Sequence, residues 1–214
     1  DGVFVNNWVE NTFDGFFFEI SKGAICAGNV FVNCVHGIRS LNSCNVQAYQ
    51  NTLYNSTIAV ERNERSAVGD HFGWHPSAGP DVAARNGHVI VNNLVVADEF
   101  FAAPLVEFKQ AAVLKDQLKE PQAKQIDGNV YVRRMGAKAR PFLVWSPVQN
   151  ESGSATFATL DEFRQAAAGF EAKGASYADY WGVLFPSPVL HRFELLAGFP
   201  GANAGVELPQ TIRE

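Results

Sequence analysis

A period of 22 residues near the start of the chain leaves few folds open to it. The segments that begin at Asn7, Asn29 and Asn51 align column by column. Asparagine stands first (Asn7, Asn29, Asn51) and fifth (Asn11, Asn33, Asn55), and an apolar residue third (Val9, Phe31, Leu53) and tenth (Phe16, Ile38, Val60). Runs this short, punctuated by Gly, Asn and Ser, are too β-rich for a helical repeat and too brief for a propeller blade. They suit one turn of a parallel β-solenoid, in which no coil can bury its inward face alone and each stacks on the next at a strand spacing of about 4.8 Å. Equivalent positions then lie above one another. Asparagines stacked at a bend can bond side chain to side chain along the stack and to the turn backbone, which satisfies amides that are costly to bury unpaired. These columns therefore need no catalytic explanation.

Alternation assigns the faces of each coil. Ile38 points in and Arg39 out, while Val46 and Ala48 point in. Cys26 falls one coil below Ala48, and Cys34 aligns with Ser56, both as small buried residues. Three cysteines with no CxxC pair argue against a disulfide framework and against a zinc site. With 47% apolar and 18% charged residues over 214 positions, the chain can pack one domain, with an appendage. A net charge of -5 speaks against a sequence-independent grip on nucleic acid, and no apolar run nears the roughly 20 residues of a spanning helix. Neither nucleic acid nor membrane is an expected partner. The chain opens at Asp1 without a basic-then-apolar leader, which predicts a processed or truncated product.

Regularity breaks after Val60. Glu61 to Asp81 mixes charge, turn residues and aromatics without a period of two, and reads as a long loop thrown out of the solenoid over about residues 62–86. The pattern returns from Gly87 to Val96, with Val91, Leu94 and Val95 in the core; Asn51 to Asn93 spans two residues less than two full coils. Leu105 to Lys119 is ambiguous between an irregular coil and a short helix, whereas Asp127 to Val132 is a turn and strand, and Pro141 to Trp145 another strand. Thr159 with Glu162 three residues on forms a capping box for a helix that buries Leu160 and Phe163 and ends before Gly169. That helix and Tyr177 to Glu214 read as a cap over the open solenoid end, packed by Trp145, Trp181, Phe185 and His191. The expected division is residues 1–135 as coils and 136–214 as a strand and helix cap.

The Asn-x-apolar-x-Asn coils resemble the right-handed parallel β-helix repeat proteins of the pectate-lyase-like superfamily, from about Gly2 to Val132. The tail is similar to that of secreted bacterial members. Asn129-Val130-Tyr131, Leu160-Asp161-Glu162-Phe163 and Arg192-Phe193-Glu194-Leu195 through Gly205 match the family's closing strand, helix and signature, with Phe199-Pro200 where the family has Ser-Pro. The resemblance implies a carbohydrate-active protein, extracellular or periplasmic, with substrate along an outer face and further β-helix coils upstream as a partner. It implies no cofactor and leaves calcium open, although the aspartate-rich calcium site of pectate lyases and the paired-aspartate and Gly-His-Gly set of polygalacturonases are absent.

Two places carry candidate chemistry. One outward column is Phe17, Arg39, Glu61, and the next is Glu19, Leu41, Asn63, so Arg39 is expected one stacking step from Glu61, a cation that can contact the substrate by easing the binding of an acidic sugar or poise Glu19 or Glu61 as acid or base. The alternative is a solvated charge ladder. The loop supplies the second set: Trp74 as a sugar platform, Arg62, Arg65 and Arg85 as substrate contacts, Asp70 and His71 as proton carriers. His71 and His75 have metal-pair spacing only on a helix, which Gly73 and Pro76 oppose, so no metal site is expected. The catalytic set is thus Glu19, Glu61, Asp70 and His71. The functions left open are a glycoside hydrolase using carboxylate acid/base chemistry, a lyase acting on uronic acids by β-elimination, and a non-catalytic glycan-binding or structural module. Scarce basic residues favour the hydrolase.

Overall fold

The computed structural model describes residues 2–63, 81–135 and 140–213, and it is all-β with one helix of more than four residues among them. The chain passes through three sheets in turn and then repeats the circuit. The first circuit is β1 (Gly2–Val5), β2 (Trp8–Glu10) and β3 (Asp14–Glu19); the second is β4 (Lys22–Ala27), β5 (Val30–Val32) and β6 (His36–Leu41). The third is β7 (Cys44–Tyr49), β8 (Thr52–Tyr54) and β9 (Thr57–Arg62), and the fourth β10 (His88–Val91), β11 (Leu94–Ala97) and β12 (Val106–Gln110). β13 (Ala123–Asp127), β14 (Val130–Arg134) and β15 (Leu143–Trp145) make the fifth. Sheet one runs β1-β4-β7-β10-β13; β2-β5-β8-β11-β14 and β3-β6-β9-β12-β15 begin sheets two and three. All these pairs are parallel. This strand order is compatible with the solenoid that the repeat predicts.

Stacking turns the sequence columns into core columns. Phe4, Cys26, Ala48, Ile90 and Ile126 follow one another in sheet one, and Val9, Phe31, Leu53, Val95 and Tyr131 in sheet two. Phe16, Ile38, Ile58, Val106 and Leu143 do so in sheet three. All fifteen belong to one apolar cluster. Gly37 is small because a Cβ there would lie 2.7 Å from Leu53 Cδ2 and 3.0 Å from Phe31 Cβ.

The corner between sheets one and two is always two residues long. Its first residue takes a left-handed backbone (Asn6, Gly28, Gln50, Asn92, Gly128), and its second is the first asparagine of the repeat. Each such asparagine Oδ1 accepts both the backbone N–H and the side-chain amide of its predecessor. Asn7 thus bonds Asn29 at 2.9 and 3.0 Å, Asn29 bonds Asn51 at 3.0 and 2.9 Å, Asn51 bonds Asn93 at 3.0 and 2.9 Å, and Asn93 bonds Asn129 at 2.8 and 2.9 Å. The ladder has a direction, so its far end needs an acceptor. The fifth-position asparagines serve differently. Asn11, Asn33 and Asn55 have φ of 55°, 53° and 50°, a region that asparagine tolerates better than most residues.

Three expectations are revised. Asn51 and Asn93 are direct neighbours in the ladder although 42 residues apart, so the excess is one long corner inside a single circuit and not two coils. The ambiguous stretch from Leu105 is strand β12 followed by a 3₁₀ turn at Ala112–Leu114. Beyond Tyr180 the tail does not stay over the end. That place is taken by β16 (Ala155–Phe157), antiparallel to β15, and α1 (Leu160–Ala166); Phe163 and, past the helix, Phe170 pack on Trp145, and Phe157 packs on Phe163. Thr159 caps α1 by accepting the Glu162 N–H at 3.2 Å, as the capping box predicts, while the Glu162 carboxylate returns to the Ala158 N–H at 2.8 Å.

After β17 (Ala175–Tyr180), which extends sheet two, the chain doubles back along that sheet's outer side. Phe185 and Phe193 pack on Tyr54, His191 and Phe193 on Trp8, and Phe199 on Tyr177 and Tyr180. Val206 bonds Asn92 in both directions. The tail buries Phe185, and His191 packs on Trp8 while staying exposed, but Trp181 is 73% exposed and is not a packing residue of the cap.

Candidate functional site

With sheet two under the tail, the outer side of sheet three carries the densest charge among the described residues. β3 supplies Asp14 and Glu19, β6 His36 and Arg39, β9 Glu61, and β12 Glu107 and Lys109. Strand parity puts Glu19, Arg39, Glu61, Glu107 and Lys109 there: on β9, Ile58, Val60 and Arg62 face in, whereas Ala59 and Glu61 face out.

The register differs from the expected columns. β6 slips against β9 between His36 and Ile38, so Arg39 lies beside Ala59 and Glu61 beside Leu41. Glu19, Leu41, Glu61 and Lys109 form one row, and Phe17, Arg39, Ala59, Glu107 and Val144 the other. Arg39 still reaches Glu61, diagonally, with Nε 2.7 Å from Oε2. Its other arm meets Asp14 Oδ2 at 3.3 Å, and Asp14 Oδ1 takes His36 Nδ1 at 2.7 Å. The guanidinium carbon sits 5.3 Å from the centre of the Phe17 ring. Burial opposes the charge on Arg39, but Glu61 and Asp14 overcome it and raise the guanidinium above its ordinary pKa. Arg39 is a permanent cation strung between two carboxylates.

One circuit further, Lys109 Nζ lies 2.6 Å from Glu107 Oε2; the Glu107 side chain is 9% exposed and that of Lys109 50%. Beside these groups opens a groove of about 470 Å³, lined by Arg39, Glu61 and Lys109 and by Ser146, Ser152 and Ser154. The Ser146 Oγ is buried there without a protein partner.

Of the residues singled out in the sequence, the structure gathers Glu19, Arg39 and Glu61 on this face. Asp70, His71, Arg65 and Trp74 lie outside the described residues. Arg62 and Arg85, expected as substrate contacts, are turned away from solvent, 3% and 0% exposed, although Arg62 borders the groove. Parity turns Arg62 inward, where its guanidinium donates to the Arg85 carbonyl at 2.7 Å, Gln110 Oε1 at 2.9 Å and the Glu120 carbonyl at 3.3 Å. It closes the corner that the long excursions after β9 and β12 leave open. Burial, with Arg85 nearby, pulls it down to about 10. His88 is also structural. It accepts the Val46 N–H at 3.3 Å on Nδ1, and burial pulls it down to about 3, so it is neutral.

Asp14, His36, Glu107 and Lys109 are the members that sequence reasoning missed. Laying Val106 to Gln110 on Ile58 to Arg62 would have exposed the last two, but the 48-residue spacing hides the match. No group of His, Cys, Asp and Glu among the described residues could hold a metal ion, and no described helix is long and apolar enough to cross a membrane. Compared with known proteins, the chain matches no protein-family model, no curated protein and no solved structure.

Proposed function

We propose that the chain is a parallel β-solenoid of the right-handed, pectate-lyase-like kind, acting outside the cytoplasm as a glycoside hydrolase on the outer side of sheet three. The observation that carries this reading is the cluster of Asp14, Arg39, Glu61, Glu107 and Lys109, set on neighbouring rows beside an open groove. Glu61 and Glu107 stand one ladder step and two residues apart, a backbone separation of about 8 Å. Glycosidases that invert divide the work between two carboxyl groups, one protonating the leaving oxygen and the other activating water. Arg39 holds Glu61 in place, and the serines offer hydroxyls to a sugar.

Charge favours hydrolysis over β-elimination. Asp14, Glu19, Glu61 and Glu107 outnumber Arg39 and Lys109, so a uronate carboxylate arriving here meets net repulsion, and a neutral saccharide does not. The test is incubation with neutral and uronic-acid polysaccharides, reading new reducing ends and absorbance at about 235 nm. New reducing ends on neutral glycans without absorbance, falling on the order of 10²-fold or more in E61Q and E107Q but not in E194Q, are expected. Absorbance on uronates would replace hydrolysis by elimination. Glycan binding without cleavage would make the face a recognition surface.

A further inference from the structure

The asparagine ladder ends on an acid. The residue in register with Asn129 on the last strand of sheet two is Gly174, since Val130 pairs with Ala175. Gly174 has no side chain to offer. Glu171, three residues earlier, fills the place: its Oε1 accepts Asn129 Nδ2 at 2.7 Å and the Tyr131 hydroxyl at 2.6 Å. A Cβ on Gly174 would collide with the same carboxyl group, so glycine is what lets the acid in. Glu171 is 0% exposed, holds a φ of 53°, and its Oε2 has no partner.

We propose that Glu171 is a proton-operated clasp on the C-terminal end: the neutral acid closes the ladder, and the carboxylate is where the segment around Glu171 and β17 opens. A ladder whose last member donates needs one acceptor and no more. With the proton on Oε2, Oε1 still takes both bonds and the buried charge is gone. Without it, a full charge sits beside an oxygen that nothing solvates.

The charged neighbours do not relieve that cost. Asp127 on β13 is a second carboxylate, engaged by the Gly128 and Lys173 N–H groups at 2.9 and 2.7 Å. Arg164 on α1 spends its guanidinium on the Glu171 carbonyl at 2.7 Å, on Asp161 at 3.0 Å and on the Gly174 carbonyl. Tyr131 donates a neutral hydroxyl, and the Tyr131 phenol itself is pushed up, by burial and then by Glu171. Burial pushes Glu171 up to about 7, further than the bonds from Tyr131 and Asn129 hold it down, and Asp127 adds to the rise. The folded-state value lies above the ordinary 4.5. The stabilisation is therefore complete below about 4.5 and is lost as pH rises through about 7.

Hydrogen exchange of the whole protein, corrected for the intrinsic pH dependence of exchange, tests the clasp. Between pH 5 and 8.5, peptides covering residues 167–180 should open on the order of 10²-fold more readily, while those of β7 and β8 stay unchanged. E171Q, which mimics the neutral acid, should abolish that change. An identical pH response in E171Q, or no response in the natural chain, overturns the proposal. If E171Q fails to fold, carboxyl ¹³C titration of the natural chain decides: a glutamate titrating between about 6 and 8 is required, and its absence ends the idea.

Discussion

Replacing Asn51 by leucine isolates the ladder from everything else that holds the circuits together. Asn51 is buried, accepts the Asn29 N–H at 3.0 Å and the Asn29 amide at 2.9 Å, and donates to the Cys26 carbonyl at 2.8 Å and Asn93 Oδ1 at 2.9 Å. In N51L, Asn29 Nδ2 keeps the Phe4 carbonyl at 2.9 Å, and Asn93 Oδ1 keeps the Asn51 backbone N–H at 3.0 Å. Two groups lose their side-chain partner: the Asn29 N–H and the Cys26 carbonyl. At about 1–3 kcal/mol for each buried polar group left unpaired, less about 1 kcal/mol returned by the leucine, N51L should cost about 1–5 kcal/mol, a large share of a total of about 5–15. Asn33→Ala is the comparator: Asn33 is exposed with φ 53°, and alanine there costs about 1–2 kcal/mol in backbone strain. N51D adds a test of direction, because the acid still accepts from Asn29 but meets Asn93 Oδ1 with no proton to give; it should be at least as damaging as N51L at neutral pH. Urea unfolding followed by circular dichroism gives all three. If N51L costs less than about 1 kcal/mol at an unchanged m-value, or N51D is tolerated, the directional ladder is wrong.

G37A should lower stability by about 1–3 kcal/mol through the clash with Leu53 and Phe31, and a pair with L53V, measured by thermal unfolding, should cost less than the two single changes added. R62M should also destabilise by about 1–3 kcal/mol, because the Arg85 and Glu120 carbonyls lose their donor. Because that guanidinium faces inward, R62M should leave saccharide binding in calorimetry unchanged, and a weakened affinity in the folded variant would return Arg62 to the site.

The circuits were legible in the sequence because stacking converts equal spacing into vertical contact, and the asparagine column marks the corner that never changes length. Two kinds of information were not legible. The slip between β6 and β9 is a local backbone irregularity at His36, and the residues there carry no signal that sets Arg39 beside Ala59. Insertions at the other corners erase the fixed period, which is why β12 read as ambiguous and Glu107 and Lys109 went unseen. Arg62 was misjudged for a different reason: its position after Ile58 and Val60 gives the inward parity, but charge argued for solvent, and the buried carbonyls that receive it come from Arg85 and Glu120, far along the chain. The return of the tail to Trp8 rests on contacts between distant parts of the chain, and local pattern is silent about those.

The three corners do not share the burden of variation. From sheet one to sheet two the connection is two residues in every circuit, whereas from two to three it lengthens after β11 and β14, and from three to one after β9 and β12. Any residue added at the first corner would lift an asparagine out of its stack, so that seam behaves as the spine of a binding into which pages of different width are sewn. Variation in loop content is thereby steered to the two margins of sheet three. A lineage of such chains can alter what borders the charged face, by insertion and deletion alone, without rewriting the strands that display it.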